Sequence, residues 1–380
     1  DRWQIRNLAA RMSEANEHNL HYIVDQPALV EFCAGLSNTP WLALDTEFIR
    51  EQTFYPQLCL IQIASTNGLA CIDPLALPSL EPLLDVLYNP AVTKILHAAY
   101  QDLEIFYHLR GAIPVPVFDT QLAALVLGYG NQVGYASLVQ QMLNVELHKE
   151  HTRADWRRRP LAPEWLAYAI DDVRYLPELY QRQQVTLAER GWLAALSEDF
   201  AALTDPDRYQ PHPQEAWRRV RGHQRLQGVQ QAVLRALAAW REEQASRHDR
   251  PRRWILSDAV LLNMAQRMPN NIEDLARIHG LPSTTLRRHG EALLKQITAA
   301  RAEPAEQWPT VQPRRLRLTA KQAAWVDELL NRIAVRANQY GIPPQALATQ
   351  RDVAQWLASQ DSPLSHGWRA AVLGPDWEQP

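Results

Sequence analysis

Cysteine is scarce in this sequence: Cys33, Cys59 and Cys71 are the only three in 380 residues, with no C-x-x-C spacing. An odd number at that spacing excludes a disulfide framework and a thiolate zinc site, and reads as buried thiols in a reducing compartment. Long apolar runs are missing too. No stretch approaches the roughly 18 residues a spanning helix needs, so no membrane partner is expected. No signal peptide is visible, and a cytoplasmic location is the simple expectation. Nor does one sign of charge dominate, with 39 Lys and Arg against 42 Asp and Glu, a net charge of −3.

What is present describes a folded, soluble chain: 46% hydrophobic and 21% charged residues. Its length exceeds one ordinary core and predicts two or three domains. The near-neutral total hides an asymmetry. Residues 1–200 carry 14 basic against 24 acidic side chains, a net of −10, and residues 201–380 carry 25 against 18, a net of +7. An acidic half that collects metal ions and a basic half that meets phosphates make physical sense together, the alternative being a chance imbalance on solvated helices.

Four acids in three places look able to form one metal site. Asp45 and Glu47 lie in WLALDTEFIR, Asp102 in KILHAAYQDLEIF, and Asp172 in EWLAYAIDDVRYL. Residues two apart on a strand share a face, so Asp45 and Glu47 project together from the strand expected over Trp41–Phe48. Residues four apart on a helix also share a face, which sets Asp172 beside Tyr168. Carboxylates converging in this way repel one another unless a cation holds them, and oxygen-only ligands suit hard ions such as Mg2+ or Mn2+. Two such ions are common equipment for phosphodiester cleavage. Asp171 lies about 100° round the helix from Asp172 and reads as a supporting or surface acid. Asp119, which opens FDTQLAALVLG, reads as a helix N-cap. His97 reads as core or as support, not as a ligand.

The order of these segments resembles a known family. Asp45-Thr46-Glu47, Asp102 and Tyr168-x3-Asp172 match the motifs of the DEDDy 3′–5′ exonucleases. The ordered set LDTEF, FYPQLCLIQIA, IDPL, ILHAAYQDLEIF, FDTQLAA, RADWRRRPL and YAIDDVRYL resembles bacterial ribonuclease D. The resemblance runs from about His21 to the C-terminus. It implies a metal-dependent 3′–5′ exoribonuclease with two Mg2+ or Mn2+ ions held by Asp45, Glu47, Asp102 and Asp172, and with Tyr168 aiming the attacking water. The implied substrate is RNA, tRNA precursors with 3′ extensions foremost, trimmed to release 5′-mononucleotides. Single-stranded DNA as substrate, or a catalytically silent nucleic-acid-binding protein, are the alternatives.

By the same resemblance, Glu47 and the backbone at Phe48 hold the terminal 3′ hydroxyl. Phe48 either stacks on terminal bases or is ordinary core. The run from Arg153 through Trp156 to Arg159 is basic with an aromatic inside it, and is a candidate contact for the incoming strand. Arg218, Arg219, Arg221, Arg225, Arg252 and Arg253 offer further phosphate contacts.

Along the chain, residues 1–20 form an N-terminal extension with no function assigned. Residues 21–204 form the exonuclease domain. Strands are expected at Trp41–Phe48, Leu58–Ala64, Leu69–Asp73 and Thr93–His97, and helices at Leu80–Tyr88, Asp102–Arg110, Thr120–Gly128, Ser137–Leu143 and Pro163–Gly191. A five-stranded mixed sheet flanked by helices fits, and the resemblance implies the α/β ribonuclease H-like exonuclease fold. A Pro-rich linker at 205–214 and another at 303–313 bound two all-α parts, 215–302 and 314–380. These parts repeat at an offset of 92 residues: Pro251, Leu256, Ser257, Leu261 and Met264 recur as Pro343, Ala348, Thr349, Val353 and Trp356. Both resemble the small helical HRDC domain.

Overall fold

In the computed structural model, the described residues are 20–147, 154–309, 318–359 and 362–377. Six strands form one sheet: β1 (Leu20–Ile23), β2 (Trp41–Ile49), β3 (Gln57–Ser65), β4 (Gly68–Ile72), β5 (Thr93–Leu96) and β6 (Val117–Asp119). Their spatial order is β1-β4-β3-β2-β5-β6. β3 and β4 pair antiparallel, while β1 with β4, β2 with β5 and β5 with β6 pair parallel. The sheet is mixed, as expected, but has six strands rather than five. Both edges escape hydrophobic periodicity for a physical reason. β1 buries only Ile23, and β6 is three residues long.

β2 is central, so both its faces are covered. Leu42 and Leu44 join α1 (Gln26–Gly35), α2 (Glu81–Leu87) and α3 (Tyr100–Arg110) in one apolar cluster. Trp41 and Ala43 point the other way. They meet α5 (Tyr135–Leu143), α6 (Pro163–Arg174) and α7 (Leu176–Glu189) in a second cluster; α4 (Thr120–Leu127) follows β6. Asp45 and Glu47 continue the odd-numbered face, the one covered by α6. The single helix expected over Pro163–Gly191 is in fact α6 and α7. The break falls at Tyr175, because Pro177 has no backbone N–H to continue the ladder.

α8 (Leu196–Leu203) leads into the linker expected over 205–214, whose stretch up to Tyr209 belongs to the first unit. Tyr209 is buried there and stacks on Tyr100 and Tyr107, with ring centroids 5.2 and 6.2 Å away. Beyond it come α9 (Val229–Arg247), α10 (Arg252–Ile255), α11 (Asp258–Arg267), α12 (Ile272–Ala276) and α13 (Ser283–Ala302). The last group is α14 (Ala320–Gln339), α15 (Pro344–Leu347), α16 (Gln350–Ser359) and α17 (Gly367–Leu373). The 92-residue offset holds for three helices: α15 matches α10 and α16 matches α11 at both ends, and α14 parallels α9, whereas α12 and α13 have no counterpart at that offset among the described residues.

The chain divides into two compact units. The first holds the sheet, its helices through Tyr209 and the C-terminal helices; the second holds the loop Arg50–Gln57 and the helices from Gln210 through α13. The C-terminal helices, expected as a second helical part over 314–380, share one core with the sheet's own helices. Val326, Leu329, Ile333, Val353 and Trp368 bury against Leu127, Leu187, Trp192 and Leu196. All three cysteines are buried and unbridged. No described helix is long and apolar enough to cross a membrane.

Candidate active site

β2 delivers Asp45 and Glu47 to one face, and α6 delivers Asp172 to the same place. Ligand oxygens of these three carboxylates all lie within 4.8 Å of one another. Asp102, in the first turn of α3, is buried and is not part of that close group. Its carboxylate accepts a hydrogen bond from the Thr46 hydroxyl, yet its charge still acts on Asp45 and Glu47. Of the four acids expected to converge, the structure brings Asp45, Glu47 and Asp172 together, while Asp102 acts on Asp45 and Glu47 through its charge.

Without a cation these acids resist ionisation. Burial pushes Asp45 well above the ordinary carboxylate range, and the charges of Asp102, Asp172 and Glu47 add to the effect. Burial, then repulsion from Asp172 and Asp102, raises Glu47 to about 8. Asp102 rises to about 7 through burial, opposed by the Thr46 hydrogen bond. Asp172 rises to about 7 through burial and the neighbouring charge of Asp171. Mutually repelling, desolvated oxygen donors of this kind fit a hard divalent cation, which would restore the charged form of each.

Tyr168 stands one turn before Asp172. Burial, then the charges of Asp172, Glu47 and Asp45, raise its phenol further above its ordinary value, so it holds its proton at neutral pH and has an O–H to donate. Trp156 stacks on it, centroids 6.4 Å apart at 28°, and meets Trp165 edge-on. At 4% exposure Trp156 has no face for a base. Its expected role as an RNA contact is corrected: it fixes the Tyr168 ring.

Arg159 is corrected in the same way. Its Nε and Nη2 donate to the two oxygens of buried Asp73 at 2.5 and 2.7 Å. Its remaining donors reach the carbonyls of Cys59, Trp156 and Arg158. That guanidinium is spent inside the protein. Arg252, another expected phosphate contact, is spent as well, with two 2.6 Å bonds to Glu242 and its guanidinium 4.4 Å from the Phe54 ring centroid. Arg153 lies outside the described residues. Phe48 is half-buried. Arg218 is exposed, pairs with Glu215 at 2.9 Å and lies over the Trp217 ring. Arg221 is also exposed, with its backbone N–H donating to Asp258.

Asp119 caps α4, accepting from the N–H groups of Gln121 and Leu122. It does more than the sequence suggested, because it also accepts from Ala98 and Ala99 at 3.2 and 3.0 Å. That ties down the turn where Ala98 takes a positive φ and where α3, with Asp102, begins. His97 is engaged by Thr120 Oγ1 and the Val133 carbonyl, both at 2.9 Å, and burial lowers its pKa. Asp171 faces outward and pairs with Arg174 at 2.8 Å.

Tyr135 was missed. Its hydroxyl donates to the Asp171 carbonyl at 2.9 Å and accepts from the Tyr175 N–H at 3.1 Å, pinning the end of α6 behind Asp172. No sequence spacing marks it, since its partners lie 36 and 40 residues away.

The 3′–5′ exonuclease family model matches residues 20–187, and the HRDC domain model matches residues 230–297. Ribonuclease D of Pseudomonas paraeruginosa is 41% identical over 365 residues, 93% of this chain and 96% of that protein. The chain belongs to the ribonuclease D family. Ribonuclease D of Acidiphilium cryptum is similar at 38% identity, covering 92% of this chain and 90% of that one. The crystal structure of Escherichia coli RNase D, described as an exoribonuclease involved in structured RNA processing, superposes with a TM-score of 0.79 at 31% identity. It covers 93% of this chain and 96% of its own. As a ribonuclease D, the chain is a 3′–5′ exoribonuclease, a hydrolase acting on RNA.

Proposed function

We propose that this ribonuclease D trims structured RNA from the 3′ end, tRNA precursors with 3′ extensions foremost, and releases 5′-mononucleotides with the help of two Mg2+ or Mn2+ ions. The observation that carries this reading is the meeting of Asp45, Glu47 and Asp172 within 4.8 Å, with Asp102 adding its charge. Asp45, Glu47 and Asp172 would hold one ion, and Asp102 with Asp45 the other. When bound, such ions acidify a water and stabilise charge on the phosphate and the leaving oxygen. The chain's own residues do the aiming. The protonated Tyr168 hydroxyl orients the nucleophile, and Glu47 with the Phe48 backbone receives the terminal 3′ hydroxyl. Trp156 behind Tyr168, and Asp119 behind the start of α3, keep these groups in place.

The test is a 3′-extended tRNA precursor and a matched single-stranded DNA, each labelled at the 5′ end, incubated with Mg2+, Mn2+ or EDTA. Stepwise shortening of the RNA from its 3′ end, stopped by EDTA, is expected. Asp45→Asn and Asp102→Asn should each abolish it while leaving RNA binding in place. Cleavage in EDTA, or wild-type turnover by either variant, would remove the two-ion reading. Faster shortening of the DNA would reassign the substrate.

A further inference from the structure

In the second unit an indole stands open among arginines. Trp254, on α10, is 50% exposed, although a ring of that size usually seeks cover. The Arg250 guanidinium lies 5.9 Å from its centroid, and Arg247, His248 and Arg253 are exposed in the same short run. The one acid in this run, Asp249, is already engaged by the backbone N–H groups of Phe54 and Tyr55, at 2.9 and 3.0 Å. Arg252 is engaged by buried Glu242. These two ties fix the backbone from which Trp254 and its arginines project.

The internal repeat supplies a control. At the same offset the second copy carries Gln339, Ile342, Gln345 and Ala346 where the first carries Arg247, Arg250, Arg253 and Trp254. The residues that make the fold do recur: Pro251 as Pro343, Ser257 as Thr349 before the next helix, and buried Leu261 as buried Val353. The short helix forms in both copies with identical bounds relative to the offset. The basic and aromatic residues are therefore not needed to build this element.

We propose that Trp254, with Arg250 and Arg253 beside it, is a stacking platform for an unpaired nucleotide of the RNA, the arginines meeting the adjoining phosphates. The proposal rests on the RNA substrate reading. An exposed π-face accepts any base, and the flanking cations supply the charge complementarity a polyanion needs. The platform adds grip on longer RNA and leaves bond cleavage to the carboxylate site.

The experiment uses the whole chain in EDTA, so that nothing is cut, and titrates it against a 5′-fluorescent single-stranded RNA by anisotropy. Trp254→Ala should bind about tenfold more weakly, the size of one lost base stack. Trp254→Phe should recover most of that loss. Arg250→Ala and Arg253→Ala should each flatten the salt dependence by about one phosphate contact. With Mg2+ restored, Trp254→Ala should still hydrolyse a very short RNA at the wild-type kcat. Failure of that last arm in the wild type would strike the enzyme reading and leave the platform's binding result standing on its own. Wild-type RNA affinity in Trp254→Ala, or no recovery in Trp254→Phe, would overturn the platform and assign this surface to a protein partner.

Discussion

At the scale of single residues, the clustered acids and the buried pair of Arg159 with Asp73 make opposite demands on charge. Folding raises Glu47 to about 8 and Asp102 and Asp172 to about 7, against roughly 4 for the same groups in an unfolded chain. Between about pH 4 and 8 the ion-free native state therefore holds protons that the unfolded state has lost, so its stability falls as pH rises through that window. A bound cation favours the ionised acids and should reverse the trend. Thermal melts should show a Mn2+-induced rise in Tm that grows from about pH 6 to about pH 8, and Glu47→Gln should blunt it. A rise of the same size at every pH would contradict the assignment. Arg159→Ala should destabilise the fold by about 3 kcal/mol or more, because it strands the buried Asp73 carboxylate. A urea melt reads the loss directly; RNA affinity of the folded variant should not change.

The same scale shows where sequence was legible. Period-two alternation in β2 and one helical turn in α6 carried Asp45, Glu47, Tyr168 and Asp172 to one place. Trp156 and Arg159 were misread because a basic run with an aromatic inside it has the same composition whether it meets RNA or closes on the core. The deciding partner, Asp73, lies 86 residues away in the sequence.

At the scale of elements, the register of α6 decides which of two adjacent acids joins Asp45 and Glu47. Ala169, Ile170 and Val173 are buried and fix the rotation of the helix, while Tyr135 pins its end. Asp172→Asn should be as damaging to RNA hydrolysis as Asp45→Asn, and Asp171→Asn should stay near wild type, having lost its pair with Arg174 and a neighbouring charge that only hinders ionisation of Asp172. An essential Asp171 with a dispensable Asp172, read in the same cleavage assay, would mean that the helix is rotated. Elements long enough to show a period were readable, and the residue recurrence at an offset of 92 falls on matching helices. The short edge strands were not, and the break at Tyr175 was overlooked although Pro177 announces it.

At the scale of the whole chain, the Pro-rich stretch after Thr204 invites a cut that the packing forbids. A fragment ending before Pro206 loses Tyr209 from one core and loses the C-terminal helices that cover Trp192 and Leu196. Such a fragment should melt at lower temperature than the full chain and show greater solvent exposure of tryptophan in its fluorescence. Matching melts would mean that the C-terminal helices contribute little to the shared core.

The loop Arg50–Gln57 groups with the helical unit, yet the strands before and after it belong to the sheet. The sequence thus leaves one unit and returns to it within eight residues, long before the main crossing near Tyr209. Inheritance of the helical unit by recombination consequently needs two separate inserts, since Asp249 and Arg252 engage this loop through Phe54 and Tyr55. A chimera that takes residues 210–314 from a distant relative and keeps its own loop inherits a mismatched pair.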